Sequence, residues 1–213
     1  MLVDTNNQTS HINPAAFFRS VVPNALVGDL ARIIDASRQA AWAASAGFDP
    51  GIRHDLFPHL RRANVEAALL GLGRRYAKLG VTTSEEANET GNSHHTVVRV
   101  GSVVITASAV ETSDTLVREA RFRRSLAKNP QLALGIVEAE EDPPSDALYA
   151  LLLYPNGALP EDATGDLGFV VVRFPASDCS TYVGDSIDAL AESRGHDRRS
   201  GASPRRRRID EAG

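Results

Sequence analysis

Residues 96–110 read TVVRVGSVVITASAV, two β-branched runs that flank the dipeptide Gly101-Ser102. This dipeptide suits a two-residue hairpin turn, because glycine readily adopts the positive φ that such a turn requires. The predicted turn places these residues opposite one another: Val100 and Val103, and Val98 and Ile105. The stretch therefore predicts an antiparallel hairpin around which the rest of the chain is arranged.

Side chains alternate along a strand, so the hairpin is expected to have one apolar face and one mixed face. The apolar face would hold Val98, Val100, Val103, Ile105, Ala107 and Ala109, and the mixed face Val97, Arg99, Val104, Thr106 and Ser108. A charge introduced at Val100 or Ile105 is expected to be severely destabilising. A charge at Thr106 or Ser108 is expected to be tolerated.

The bulk composition indicates a soluble globular protein with one domain. The chain has 213 residues, of which 42% are hydrophobic and 23% are charged, the proportions of ordinary globular proteins. Its net charge of −4 gives no general attraction to nucleic acid or to an anionic membrane. A single cysteine, Cys179, excludes an internal disulfide framework. With no signal peptide in the polar residues 1–13 and no long apolar run, a cytoplasmic location without membrane contact is predicted.

Helices are predicted before the hairpin. Residues 14–20 suggest a short helical turn, and Asn24 is a candidate N-cap for an amphipathic helix that reaches Ser45. After the turn cluster at residues 47–51, a further helix is expected from Pro58 to Gly80. The polar residues 81–95 are interpreted as an exposed linker.

Beyond the hairpin, residues 114–128 predict a basic helix, and residues 132–136 a short edge strand. Residues 147–154 and 167–174 are apolar on both faces, which favours an antiparallel pair at the centre of the sheet. A short helix at residues 185–192 would close the domain.

These elements predict an α+β fold: a helical N-terminal part packed on a mostly antiparallel sheet of about four strands. The predicted organisation is a flexible leader at residues 1–13, a single domain at 14–192 and a disordered Arg-rich tail at 193–213. Within the domain, residues 14–80 would be helical, and residues 96–175 would form the sheet with the basic helix 114–128 inserted.

No established catalytic or cofactor motif is present. The chain lacks a glycine-rich phosphate loop, a GxSxG elbow and an HExxH motif. Its histidines at 54, 59, 94 and 95 have no cysteine or carboxylate at a metal-ligand spacing, so we interpret them as solvated polar residues. Cys179 has no evident base beside it, as a nucleophile would need. No metal, cofactor or catalytic residue is predicted.

A metal-dependent nuclease core would place a carboxylate and a lysine on neighbouring strand positions. The predicted strands 103–109, 149–154 and 169–174 contain neither residue type, and both lysines, Lys78 and Lys128, fall on predicted helices. The acidic residues 138–142 precede two prolines, which favours a solvated loop. The sequence thus argues against that class of catalysis.

The basic helix carries the predicted partner-binding residues, which lie on one side of it: Arg118, Arg121, Arg124 and Lys128. Phe122 and Leu126 lie roughly opposite these residues. Arg123 also lies on the apolar side, where its aliphatic part is expected to pack while its guanidinium reaches solvent. Arg99 and Arg173 are candidate anion contacts. Alternatively, the acidic segments 85–89, 138–142 and 161–166 neutralise the basic helix within the chain.

Two classes of function follow. The preferred one is a non-enzymatic binding or regulatory protein, such as a small toxin–antitoxin-like component. It would contact a protein partner, or nucleic acid, through the basic helix and the hairpin edge. The alternative is a hydrolase- or nuclease-like enzyme whose site is assembled from dispersed polar residues, with Arg99 and Arg173 as anion holders and a loop carboxylate as base. The sequence leaves enzymatic activity and oligomeric state open.

Overall fold

A computed structural model describes residues 13–87, 94–117, 121–132, 147–156 and 167–200. The helices in these residues are α1 (Pro14–Val21), α2 (Asn24–Ser45), α3 (Pro50–Arg75), α4 (Arg121–Leu132) and α5 (Ala189–Ser200), with a 3-10 turn at Ala77–Leu79. The strands are β1 (Val81–Ala87), β2 (His94–Val100), β3 (Val103–Val110), β4 (Leu148–Pro155), β5 (Val171–Arg173) and β6 (Ile187–Asp188).

The six described strands form one sheet in the order in which they occur along the chain. Every neighbouring pair is antiparallel except β3 and β4, which are parallel. The connection between β3 and β4 contains α4, which packs against β4. The N-terminal helices pack on the other face of the sheet. The predicted α+β class, with helices on a mostly antiparallel sheet, is confirmed.

The predicted hairpin is present, with the predicted register. Val98 pairs with Ile105 and Val100 with Val103. Gly101 has a φ of 52°, which places it in the left-handed region where glycine is unstrained. A side chain at Gly101 would also press on Val21 of α1, since its Cβ would lie 3.2 Å from the Val21 Cγ1 atom. The turn chemistry and the packing of α1 therefore both require glycine here.

Both faces of the hairpin are covered, where the sequence predicted a single covered face. The side chains of Val97 and Val104 belong to a second core between the sheet and α4. Thr106 on this face is only 1% exposed, and its hydroxyl lies 2.8 Å from the Tyr149 hydroxyl. The crossover between parallel strands places a helix on this face. The expected tolerance of a charge at Thr106 therefore no longer holds.

Residues 81–87, interpreted from the sequence as part of an exposed linker, form strand β1. It pairs with β2 from Val81 opposite Val100 to Ala87 opposite His94. Since β2 pairs with β1 and β3 pairs with β4, neither strand of the hairpin is a sheet edge. Val81 is the one buried residue of β1, so the strand has no apolar alternation by which sequence periodicity could reveal it.

Helix starts also differ from the prediction. Helix α3 begins at Pro50 and continues through Pro58, which was predicted to start it. Asn24 is the first residue of α2 and not its cap, because the N-cap position is occupied by Pro23. An asparagine does cap α1: the Asn13 side chain accepts hydrogen bonds from two backbone N–H groups.

The last helix starts and ends later than the predicted residues 185–192, since residues 187–188 form β6 and α5 runs from Ala189 to Ser200. Asp188 caps α5 by accepting hydrogen bonds from the N–H groups of Leu190 and Ala191. The helix continues past Ser193, where the tail was predicted to start, to Ser200. It packs closely on α2, since a Cβ on Gly28 would lie 3.4 Å from the Ser193 Cα atom. The predicted leader up to residue 12, residues 133–136 of the predicted edge strand and residues 201–213 lie outside the described residues.

A buried carboxylate, Asp29, joins α2 to the end of α3. It accepts hydrogen bonds from Arg32 (2.6 Å), Arg75 (2.9 Å) and the Tyr76 hydroxyl (2.7 Å). Burial alone would raise the pKa of Asp29, but these hydrogen bonds outweigh it and hold the pKa below its ordinary value of 3.8. A lowered folded-state pKa means that the carboxylate stabilises the fold fully above the unfolded-state pKa. The stabilisation is lost as pH falls through the folded-state pKa.

We expect Asp29→Asn to lower the free energy of unfolding at pH 7 by about 2 kcal/mol, because the hydrogen bonds to a charged acceptor are lost. The difference from the parent should shrink as the pH falls below 4. Urea unfolding at a series of pH values measures it. Asp55→Asn is the matched control, since the Asp55 side chain is 87% exposed. An undiminished difference at the lowest pH would contradict the assigned role of the ionised carboxylate.

Candidate functional site

A groove of about 400 Å³ lies between α3 and the strands β1 and β2. This volume falls in the range of small-molecule and side-chain binding sites. The groove is lined by His59, Arg62, Ala63, Glu66, Ala67 and Leu70 of α3, by Glu85 of β1, and by His94 and Thr96 of β2. The α3 residues recur at three- and four-residue steps, so they share one face of the helix.

One end of the groove is closed by direct packing of α3 on β1. A Cβ on Gly73 would lie 2.5 Å from the Thr83 Oγ1 atom, so only glycine allows the helix and strand to approach this closely. The Thr83 hydroxyl donates a hydrogen bond of 2.8 Å to the Leu70 carbonyl oxygen. These contacts fix the position of α3 along β1.

Glu66 is the half-buried carboxylate in the middle of the groove. Its Oε2 atom accepts a hydrogen bond of 2.6 Å from the Thr96 backbone N–H, and its backbone carbonyl accepts one of 3.0 Å from the Thr96 hydroxyl. Pairing between β2 and β3 ends at Val98 and Ile105, so β3 does not pair with Thr96. Burial raises the pKa of Glu66, and hydrogen bonds from Thr96 and the charge of Arg62 oppose the rise only in part.

The groove changes in character along its length. Leu70, which is 41% exposed, lies at the apolar end beside Thr83. Glu66 and Glu85 line the middle, and the opposite end is lined by Arg62, His94 and His59. Arg62 donates a hydrogen bond of 3.4 Å to the His94 carbonyl oxygen. The arrangement offers hydrogen bonding and both signs of charge to an elongated ligand.

Among the described residues, no group of three or more histidine, cysteine or acidic side chains is placed to hold a metal ion.

The helix predicted at residues 114–128 has wrong bounds: residues 114–117 are not helical, and α4 runs from Arg121 to Leu132 on the other face of the sheet. Thr112 and Thr115 form a turn instead, with their hydroxyl groups 2.9 Å apart. Arg118 lies outside the described residues, and Arg121, Arg124 and Lys128 are residues of α4. The Arg124 side chain is exposed. Phe122 and Leu126 are half-buried, and Leu126 packs in the second core. The apolar side of α4 therefore faces the sheet as predicted, while binding by the basic side remains a prediction.

Helix α4 is held on the sheet by polar and aromatic contacts. The ring of His95 stacks on that of Phe122 with centroids 3.8 Å apart. Arg123 donates a hydrogen bond of 3.4 Å to the Ser108 hydroxyl and lies over the Phe122 ring. His95 is 7% exposed, and burial lowers its pKa. The interpretation of His95 as a solvated histidine is wrong, because alternation along β2 turns it toward α4. The histidines at 54, 59 and 94 are exposed.

Both predicted anion contacts are paired within the chain. Arg99 forms an ion pair of 2.8 Å with Glu86 and donates a hydrogen bond to the Ser84 hydroxyl. Arg173 forms an ion pair with Asp114 and lies over the Tyr182 ring. An external anion would have to displace these carboxylates. Glu86 belongs to the acidic segment 85–89, and it neutralises the strand residue Arg99 and not the basic helix.

The central strands β2, β3, β4 and β5 contain no carboxylate and no lysine. Cys179 is half-buried against the second core and has a φ of 58°, unusual for a residue with a side chain.

Glu66 and the groove were not identified from the sequence. The one signal for them is the set of polar and small residues at helical spacing between His59 and Leu70.

The fold and the groove together define an α+β protein with a polar groove beside an edge strand. Comparisons of the chain with protein-family models, with curated proteins and with solved structures find no match. Within the part of the chain that the structure describes, no helix is both long and apolar enough to cross a membrane.

Proposed function

We propose that this protein is a non-enzymatic binding protein that takes an extended segment of a polypeptide partner along the outer edge of β1. One observation carries the proposal: β1 is the terminal strand of the sheet, and no described strand pairs with its outer side. The sequence analysis assigned partner binding to the edge of the hairpin, and the proposal assigns it to β1 instead.

An edge strand presents a row of unpaired N–H and C=O groups, to which an extended peptide can add as a further strand. Strand β1 is held by β2 along its whole length, from Val81 to Ala87. Its conformation is therefore set before binding, which reduces the entropy cost of association. The opposite edge, β6, is only two residues long and continues directly into α5.

A cytoplasmic regulatory role, of the toxin–antitoxin-like kind, is part of this proposal. The single cysteine supports a reducing compartment. The basic side of α4 would supply a second contact for an acidic region of the partner, and nucleic acid is the other ligand that such a surface suits.

Hydrogen–deuterium exchange tests the edge proposal, with the tagged full chain and the partner that it captures. We expect the outward-pointing backbone N–H groups of Thr83, Glu85 and Ala87 to become protected in the complex, because these groups gain a partner. The Val81 N–H already donates to the Tyr76 carbonyl. The amides of β6 should be unaffected. Protection confined to α4, with β1 unchanged, would contradict binding at the edge.

The basic helix gives a separate prediction. Replacing Arg118, Arg121 and Arg124 together by glutamine should leave the thermal midpoint nearly unchanged. The sequence predicts that the three charges lie on the polar side of the helix, Arg124 is exposed, and exposed charges contribute little to stability. If nucleic acid binds here, the slope of log K against log salt should decrease in the variant. If an acidic protein surface binds here, the association rate should fall in a salt-dependent way. The variant could instead unfold while its remaining folded fraction binds as the parent does. That result would show that these arginines only pair with the chain's own acidic segments.

The alternative, an enzyme with a dispersed site, is favoured by one observation: Glu66 is a groove carboxyl whose pKa is raised by burial. Such a group suits general acid–base catalysis. In that case Glu66→Gln should abolish turnover of a hydrolase substrate panel while leaving the fold intact. Absence of turnover in the parent chain would favour the binding function.

A further inference from the structure

We propose that the groove between α3 and the strands β1 and β2 is a binding site for a free basic amino acid, with arginine as the best match. The ligand's α-carboxylate would bind Arg62, its α-ammonium group Glu66 and its side-chain cation Glu85. This site goes beyond the proposed function, because it uses side chains of the groove and not the backbone edge of β1.

Two carboxylates of the groove are grouped around Thr96. Glu85 is directly opposite Thr96 in the pairing of β1 with β2, and Glu66 accepts a hydrogen bond from the Thr96 backbone N–H. The charge of Glu85 contributes to the raised pKa of Glu66. Glu85 is exposed, and neither carboxylate forms an ion pair with a described residue. A carboxylate has several acceptor sites, so both groups can still accept hydrogen bonds from a bound cation.

Arg62 supplies the positive charge of the groove. It precedes Glu66 by one turn of α3, about 6 Å along the helix axis, and its charge opposes the rise in the pKa of Glu66. Its guanidinium is exposed and donates a hydrogen bond of 3.4 Å to the His94 carbonyl oxygen, which leaves other N–H donors. A carboxylate matches these donors in charge and geometry. Glu66 and Arg62 together can therefore hold the ammonium and carboxylate groups of one amino acid.

The balance of charges selects among ligands. Two carboxylates and one guanidinium line the groove, so with neutral histidines its formal charge is −1. A basic amino acid carries the complementary set of two cations and one carboxylate. A neutral amino acid would leave Glu85 without a partner, and a diamine would leave Arg62 without one. Each of these charges would lose water on binding without gaining a counter-charge, which disfavours both alternatives.

The helix side of the groove has room for an aliphatic stem. Ala63 and Ala67 are one helical turn apart in the lining, and their small side chains leave part of the volume of about 400 Å³ open. Leu70, which is 41% exposed, continues this apolar strip. The methylene groups of a bound side chain would cover these residues and remove apolar surface from water. A guanidinium forms paired hydrogen bonds with a carboxylate such as Glu85, which an ammonium group does not, so arginine is favoured over lysine.

Isothermal titration calorimetry of the full chain with arginine, citrulline, agmatine and lysine tests the ligand class. Citrulline has a neutral group of similar shape in place of the guanidinium, and agmatine lacks the carboxylate. We expect arginine to bind at least tenfold more tightly than citrulline or agmatine, and more tightly than lysine. Absence of arginine binding, or equal affinity for arginine and either citrulline or agmatine, overturns the inference. Tighter binding of lysine overturns the assignment of a guanidinium to Glu85.

Three single variants test the assigned contacts. Glu85→Gln should weaken arginine binding at least tenfold and change citrulline binding little, because only the contact to the side-chain cation is lost. Arg62→Gln should remove the preference for arginine over agmatine. Ala67→Leu should abolish arginine binding, because the larger side chain fills the groove. All three residues are exposed, so the thermal midpoints should stay close to that of the parent.

Asp55→Asn is the matched control, since Asp55 is a carboxylate of the same helix whose side chain is 87% exposed and does not line the groove. Its affinity for arginine should equal that of the parent. Arginine binding that is unchanged in both Glu85→Gln and Ala67→Leu would place the ligand outside the groove and overturn the inference. An equal loss in Asp55→Asn would show a general effect of charge and would also overturn it.

Discussion

Ile105→Asp is expected to abolish the folded state. Ile105 is 0% exposed and lies on the face of β3 that packs against the N-terminal helices. A carboxylate there has neither water nor a cation, and we expect a loss of more than about 4 kcal/mol, a large part of the stability of an ordinary domain. Far-ultraviolet circular dichroism and urea unfolding measure the loss.

The neighbouring positions on the opposite face provide the controls. Thr106→Asp should also be severe, since Thr106 is 1% exposed and bonded to Tyr149. Thr106→Val removes only that hydrogen bond and should cost about 1 to 2 kcal/mol. Ser108→Asp should be tolerated, because Ser108 is half-buried and within hydrogen-bond distance of the Arg123 guanidinium. A mild effect of both Thr106→Asp and Ile105→Asp would contradict a hairpin covered on its two faces.

Phe18→Ala is expected to lower the free energy of unfolding by about 3 to 5 kcal/mol, the largest effect of any truncation considered. Phe18 is 0% exposed and holds α1 against the sheet through an edge-to-face contact with Phe174, with ring centroids 5.8 Å apart. The truncation leaves a cavity that the surrounding helices cannot fill without moving. Urea unfolding of the variant gives the change in free energy of unfolding.

Phe17→Ala is the control for this position, since Phe17 is an adjacent residue of the same helix and only half-buried. Its effect should be clearly smaller. A double-mutant cycle of Phe18→Leu and Phe174→Leu isolates the contact between the two rings, for which about 1 kcal/mol of coupling is expected. Equal losses for Phe17→Ala and Phe18→Ala would show that α1 is not docked through Phe18.

Much of the fold could be predicted where the sequence has a strong local signal. The hairpin register follows from Gly101 and from the alternation of valine and isoleucine on both sides of it. The strand β4 was recognised because it is apolar on both faces, and α2 because its apolar residues recur at helical spacing. Helix α3 was recognised, but its start was not, because residues 47–51 are rich in glycine and proline like a turn and Pro58 resembles a helix start.

The candidate site has no comparable local signal. Glu66 and Thr96 are 30 residues apart and meet only because α3 packs across β2. Arg99 and Arg173 were candidates on the ground of charge alone, and the fold places Glu86 and Asp114 against them. Ion pairing between distant residues depends on the arrangement of strands and loops, which charge counting does not provide.

The sequence by itself determined the hairpin, the two long helices before it and the α+β class, because turn chemistry and apolar periodicity act over a few residues. Tertiary structure alone decided three features: that β1 is a strand, that β3 and β4 run parallel with α4 covering the second face, and that Glu66 lies in a groove. Strand β1 has little apolar side chain of its own and exists because β2 offers it backbone hydrogen bonds along its length. Those hydrogen bonds form only when β2 lies beside β1 in the folded protein, and the residues of β1 alone do not specify that neighbour.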